Sequence, residues 1–149
     1  MKTLKLLTLG IFVLSIFNCS KDDDNDAVAV QPEPTILEKI SYRWNIVTVE
    51  DPSSGIQIPL NTCEKRTYYQ FSLTGEAIVE LFNEDDDNNC ISNGVVNGTY
   101  ELIQVDGENE VLITSDSGDE TSKIISITET ELILEQQGFG IRHLIFRRR

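Results

Sequence analysis

The stretch TYYQFSLTGEAIVE, residues 67–80, decides the fold. In its first half Tyr69, Phe71 and Leu73 fall on one side and Tyr68, Gln70 and Ser72 on the other, which is the two-residue period of a β-strand. Thr74, Gly75 and Glu76 are turn chemistry. The chain then resumes with EAIVELF, 76–82, where Ala77, Val79 and Leu81 share a face. Two short strands about a tight turn predict an antiparallel hairpin.

The same grammar repeats on both sides of it. RWNIVTV (43–49) precedes the hairpin, and GTYELIQV (98–105), NEVLITS (109–115), SKIISIT (122–128), ELILEQ (131–136) and IRHLIFR (141–147) follow it. These runs are rich in β-branched and aromatic residues. VDGEN at 105–109 and QGFG at 137–140 separate them as turns. ILEKI at 36–40 is long enough for one or two helical turns, and nothing after residue 41 keeps a helical period. Eight short strands joined mostly by tight turns predict an all-β fold, an antiparallel eight-stranded up-and-down barrel, because closure removes the exposed sheet edges.

Upstream of the strands the composition changes. Lys2 and Lys5 precede a twelve-residue apolar run, Leu6 to Phe17, and then comes NCSKDDDND, 18–26. A basic start and an apolar stretch too short to span a bilayer read as an export signal over residues 1–18. IFNC resembles a bacterial lipobox, and CSKDDDND resembles the start of mature lipoproteins of Bacteroidetes such as the flavobacteria. The resemblance implies a lipidated Cys19 as the mature N-terminus, anchored at the outer membrane and facing the periplasm or the cell surface. Residues 19–35, with Pro32 and Pro34 and little to bury, read as an acidic flexible linker. Residues 36–149 then make one small domain.

The mature chain would hold 131 residues, and loss of Lys2 and Lys5 takes the formal charge from −13 to −15. That balance excludes nucleic acid as a partner, since nucleic acid is bound by clustered cations. It also excludes charge-driven adsorption to anionic lipid. Membrane association is expected through Cys19 instead.

Ordered features across 36–149 resemble the lipocalin-like domain of many Bacteroidetes lipoproteins. They are a Trp on the first strand (YRWNIVTVE), Cys63 before YYQFSLTGEAIVE with Thr74-Gly75 at the turn, and a polar loop with Cys90. NGTYEL follows, then IISITETELILE, with Ile127, Thr128, Thr130 and Leu132 at the family spacing, and a last strand ending in arginines. The resemblance implies that Trp44 closes one barrel end, with Arg142 or Arg147 stacked on it as a cation–π partner. It implies further that the inward stripes could line a calyx. The candidate lining residues are Val79, Leu81, Val111, Ile113 and Leu134, with Tyr69 and Phe71 as aromatic walls. The same residues could equally fill the barrel, whose interior is wide enough for side chains or one small ligand.

The remaining chemistry-bearing residues form no catalytic or cofactor constellation. His143 is the only histidine, and there is no G-x-S-x-G. NEDDDNNC, 83–90, offers hard oxygen ligands for calcium, but no Gly stands at the sixth position from Asp85 and Val96 occupies the twelfth, so a solvated loop over 84–89 is the plainer reading. With Cys19 acylated, Cys63 and Cys90 are the only thiols left in an exported chain, and they are expected to form a disulfide. The sequence therefore predicts a non-enzymatic, cofactor-free module. Two classes remain open. One binds a small apolar or amphipathic ligand in the barrel. The other is a structural or protein-interaction module of the envelope with a filled barrel.

Overall fold

The structure is a computed structural model and describes residues 32–138 and 140–148. The expected signal peptide, Cys19 and most of the linker lie outside the described residues.

The domain opens with helix α1, Ile36–Ile40. Thr35 caps it reciprocally with Glu38: the Glu38 amide donates to Thr35 Oγ1 at 3.2 Å, and the Thr35 amide donates to Glu38 Oε2 at 2.7 Å. Those bonds hold the Glu38 carboxyl below its ordinary pKa. Nine strands follow: β1 (Arg43–Asp51), β2 (Ile56–Ile58), β3 (Tyr68–Phe71), β4 (Glu76–Glu84), β5 (Cys90–Val105), β6 (Glu108–Ser115), β7 (Gly118–Ile127), β8 (Glu131–Gly138) and β9 (Gly140–Arg148). All pairings are antiparallel, and β9 returns to pair with β1. The closed ring is thus the eight strands β1 and β3–β9, the predicted barrel, with β2 appended to the far end of β1.

β2 is not among the predicted strands and β7 starts at Gly118, four residues before SKIISIT, but the departures that shape the site are in β5 and β3. β5 begins at Cys90, eight residues before the predicted GTYELIQV strand. Its polar first half, CISNGVVN, is drawn into strand by pairing with β4 from Glu84↔Cys90 to Ile78↔Asn97. Gly98 is required there, because a Cβ at that position would strike the Thr114 carbonyl oxygen. β3 is only four residues long, while its neighbours β1 and β4 run on past it. The gap this leaves in the wall is filled by the loop 60–67, which carries a 3-10 turn, Glu64–Arg66. Thr67 bridges it: its carbonyl accepts from the Ile46 amide and its hydroxyl from the Phe82 amide, each at 3.0 Å.

The Cys63–Cys90 disulfide pins this plug to the start of β5, with Cα atoms 5.0 Å apart. Asn61 Oδ1 shapes the plug by accepting from the amides of Cys63 and Glu64, both at 2.8 Å.

The barrel has one capped end. Trp44 and Ile40 are fully buried, and Trp44 Nε1 donates to the Ile40 carbonyl at 2.8 Å. From there an aromatic column runs inward: Tyr100 packs on Phe71 (4.9 Å between centroids), Phe71 on Tyr69 (6.4 Å) and Tyr69 on Phe146 (5.0 Å). The Tyr100 hydroxyl donates to the Ser72 carbonyl at 2.8 Å and lies 3.3 Å from Ser41 Oγ, tying the β3–β4 turn to the end of α1.

The expected closure by an arginine on Trp44 is replaced by this helical cap. Arg147 is excluded by the strand period. Phe146 points inward, so Arg147 takes the outer face, opposite Asn45. Arg142 shares the inward face but lies six residues from Arg148, the cross-strand partner of Trp44, which is about 20 Å along the strand. Arg148 itself sits over the Tyr42 ring, 3.1 Å from its centroid, and Arg43 over the Tyr68 ring at 3.6 Å.

Candidate functional site at the open mouth

The opposite end of the barrel, where α1 is not present, holds a cavity of about 770 Å³. It is built by Ile46 of β1, the second half of β4, the first parts of β5, β7 and β9, the end of β8 and the plug. Its apolar surface is Ile46, Leu60, Leu81, Phe82 and Leu144, and its rim carries Glu64, Asn83, Asn93, Asp119, Glu120, Gln136 and Arg142.

Tyr69 reaches into it from the aromatic column. The ring is buried and the hydroxyl faces the cavity, where it donates to Glu120 Oε1 at 3.3 Å and accepts from Gln136 Nε2 at 3.1 Å. Gln136 Nε2 also contacts Glu120 Oε1 closely. Burial, and then the Glu120 carboxylate, push the Tyr69 phenol well above its ordinary pKa, so it stays a neutral donor. Arg142 is held at the rim by Asp51, 3.7 Å away. The Asp51 carboxyl lies below its ordinary pKa chiefly because the Ser53 hydroxyl and amide donate to it. His143, next along β9, faces Glu135 Oε2 at 3.2 Å instead of the cavity.

Of the residues the sequence nominated for a calyx, Tyr69 and Leu81 line this cavity. Phe71, Val79, Val111, Ile113 and Leu134 do not. They are buried in the packed core, because the capped and middle levels of an eight-stranded barrel are filled by side chains. Sequence reasoning missed Ile46, Thr67, Glu120, Gln136 and Leu144. A signal for three mouth residues was present: the inward stripes change character at one level. Leu132 and Leu134 lead to Gln136, Phe146 and Leu144 lead to Arg142, and Ile124 and Ser122 lead to Glu120.

The acidic loop forms the tip of the β4–β5 hairpin and is closed by its own bonds. Asp85 Oδ1 accepts from the amides of Asn89 (2.7 Å) and Asp87 (3.0 Å), and these bonds, that of Asn89 first, hold the carboxyl below its ordinary pKa. Asn88 takes the left-handed conformation at the turn, φ 61°. Among the described residues no group of three His, Cys, Asp or Glu side chains is placed to hold a metal ion.

The family model of a lipocalin-like domain matches residues 42–134. A crystal structure of a lipocalin-like protein from Bacteroides uniformis ATCC 8492 superposes with a TM-score of 0.52 at 16% identity, covering 74% of this chain and 99% of that one. At that identity the likeness is one of fold. No curated protein matches the chain.

Proposed function

The chain belongs to the lipocalin-like domain family, and on that basis we propose that it is a non-catalytic binding module that takes a small amphipathic ligand at the open mouth of the barrel. The observation that carries this reading is the cavity itself. Its volume, about 770 Å³, lies in the range of small-molecule sites, and it joins apolar walls to a few convergent polar groups. An apolar body would rest against Ile46, Leu60 and Leu144. A polar head would meet the Tyr69–Glu120–Gln136 cluster.

The deeper barrel is unavailable to a ligand without repacking, so the ligand is short and shallowly bound. The module is held at the outer membrane by lipid on Cys19, with the linker up to Thr35 as its tether. The basic start, the apolar run and the IFNC junction support that placement. Cys19→Ser should leave an uncleaved precursor without lipid. Partition into detergent unchanged from wild type would remove the anchor from the reading.

Native mass spectrometry of the chain released from its own membrane tests the binding. Uptake of one medium-chain amphiphile per chain is expected, and it should vanish in Leu144→Trp, which fills the cavity. A folded wild-type chain that takes up none would leave the alternative, an envelope interaction module acting through its loops.

A further inference from the structure

Resting on the mouth as a ligand site, we propose that the amphiphile it selects carries a protonated primary amine as its head, in preference to a neutral hydroxyl or a carboxylate. The hydrogen-bonding capacity left over at the Tyr69–Glu120–Gln136 cluster points to this head. The Tyr69 hydroxyl has one proton, and its acceptor is Glu120 Oε1 at 3.3 Å. Gln136 Nε2 has two, which go to the Tyr69 hydroxyl, at 3.1 Å, and to Glu120 Oε1. Glu120 fixes the Gln136 amide this way round: turned over, it would set its carbonyl oxygen against the carboxylate. Every donor of the cluster is therefore engaged within it. Acceptors are what remain, since Glu120 Oε2 and Gln136 Oε1 have no hydrogen-bond partner among the described residues. A head that meets them must donate.

Charge favours the same head. Glu120 lies on the inward face of β7, in line with Ser122 and Ile124 and opposite Ile113 of β6. Glu64 of the plug and Asp119 stand on the same rim, and Arg142 is the one cation among the lining residues. That guanidinium already faces Asp51 Oδ2 at 3.7 Å and donates to the Ile141 carbonyl at 3.2 Å. Glu64, Asp119, Glu120 and Asp51 thus set four carboxylates against one guanidinium, in a chain of formal net charge −13. A carboxylate or phosphate head would enter a field of its own sign. An ammonium answers both demands, with three N–H donors and a positive charge. Its tail would rest on Ile46, Leu60 and Leu144, while Glu120 is exposed, so the charged head keeps part of its hydration and escapes the cost of full burial.

Octylamine, octanol and octanoate share one tail and differ in the head. The test titrates each, at neutral pH and constant ionic strength, into the full chain in phosphatidylcholine nanodiscs, with free ligand corrected for uptake by empty discs. Methyl NMR of Ile46, Leu60 and Leu144 reads occupancy of the apolar wall for all three alike. Octylamine should bind about fivefold more tightly than octanol, the upper end for an ion pair at a solvent-screened site, and octanoate more weakly than octanol. Glu120→Gln, at an exposed position, should bring the amine-to-alcohol ratio to about one. Glu101→Gln, on the outer face of β5, should leave that ratio at its wild-type value.

Saturable octanol binding as tight as that of octylamine, or a ratio undiminished in Glu120→Gln, overturns the amine head and leaves the mouth a binding site. A ratio that falls equally in Glu101→Gln overturns it too, since net charge alone would then account for the preference. Octanoate as the tightest ligand, weakened in Arg142→Gln, overturns it in favour of an acidic head. No saturable shift with any of the three removes the binding reading itself, and the amine head with it.

Discussion

The two ends of this barrel are made from the same strands and do opposite things. At the capped end α1 lies over Trp44, and the inward residues form a continuous aromatic and aliphatic core. At the mouth the inward residues of the same strands are Gln136, Glu120 and Arg142, and a disulfide-pinned loop stands in for the missing half of β3. One end therefore concentrates apolar burial, the largest favourable term in folding, and the other keeps open surface and unused hydrogen-bonding capacity. On the proposed reading, stability and recognition are separated along the barrel axis, and a ligand at the mouth would exchange without disturbing the core.

Substitutions at each end should break or sharpen that separation. The largest effect is expected at the cap. Trp44→Ala removes a fully buried indole and its bond to Ile40, and should cost about 3–5 kcal/mol in chemical denaturation. If the two ends are independent, the amphiphile affinity of the surviving folded fraction stays at the wild-type value.

Next comes the plug. Replacing Cys63 and Cys90 by Ser opens a loop whose closure spans 27 residues and should cost about 3.5 kcal/mol in the chain-entropy account. Here the loss should be accompanied by weaker ligand uptake, since Leu60 and Glu64 belong to the plug and to the cavity alike.

A smaller effect, with a pH signature, is expected at Tyr69. Its phenol is raised above its ordinary pKa in the folded state, so the stability linked to its proton is complete below about pH 10, the unfolded value, and drains away as pH rises above it. Tyr69→Phe should cost about 1 kcal/mol at neutral pH by removing the bonds to Glu120 and Gln136. It should also flatten the alkaline fall in stability measured between pH 9 and pH 12, a range set by that same tyrosine reference value. An unchanged alkaline limb would place the titrating group elsewhere.

The smallest change is Leu81→Ala at the mouth. The side chain is already 43% exposed, so its truncation should cost under about 1 kcal/mol while reducing amphiphile uptake. A loss as large as that of Trp44→Ala would mean that the mouth is part of the core after all.

The sequence by itself marked an inward face in the regular stretches of several strands, though not through the bulges of β1, β4 and β7. Tyr69 with Phe71, Ala77 with Val79, Val111 with Ile113 and Leu132 with Leu134 are all inward, as their alternation requires, because side-chain direction in a strand is set by local backbone geometry. It also pointed to the cysteine pairing, since with Cys19 read as acylated only Cys63 and Cys90 are left to pair, and they form the disulfide. The early start of β5 was not legible, because CISNGVVN has the composition of a loop and becomes strand only against β4. The arginine partner of Trp44 and the lining of the cavity were not legible either. Those depend on how far along the barrel axis a residue sits, which follows from the stagger of all eight strands, the place where α1 docks and the length at which β3 gives way to the plug. These are relations among distant segments, and a two-residue period carries no information about axial height. Only the tertiary structure could decide that Phe71 packs while Tyr69, two residues earlier on the same face, presents its hydroxyl to a cavity.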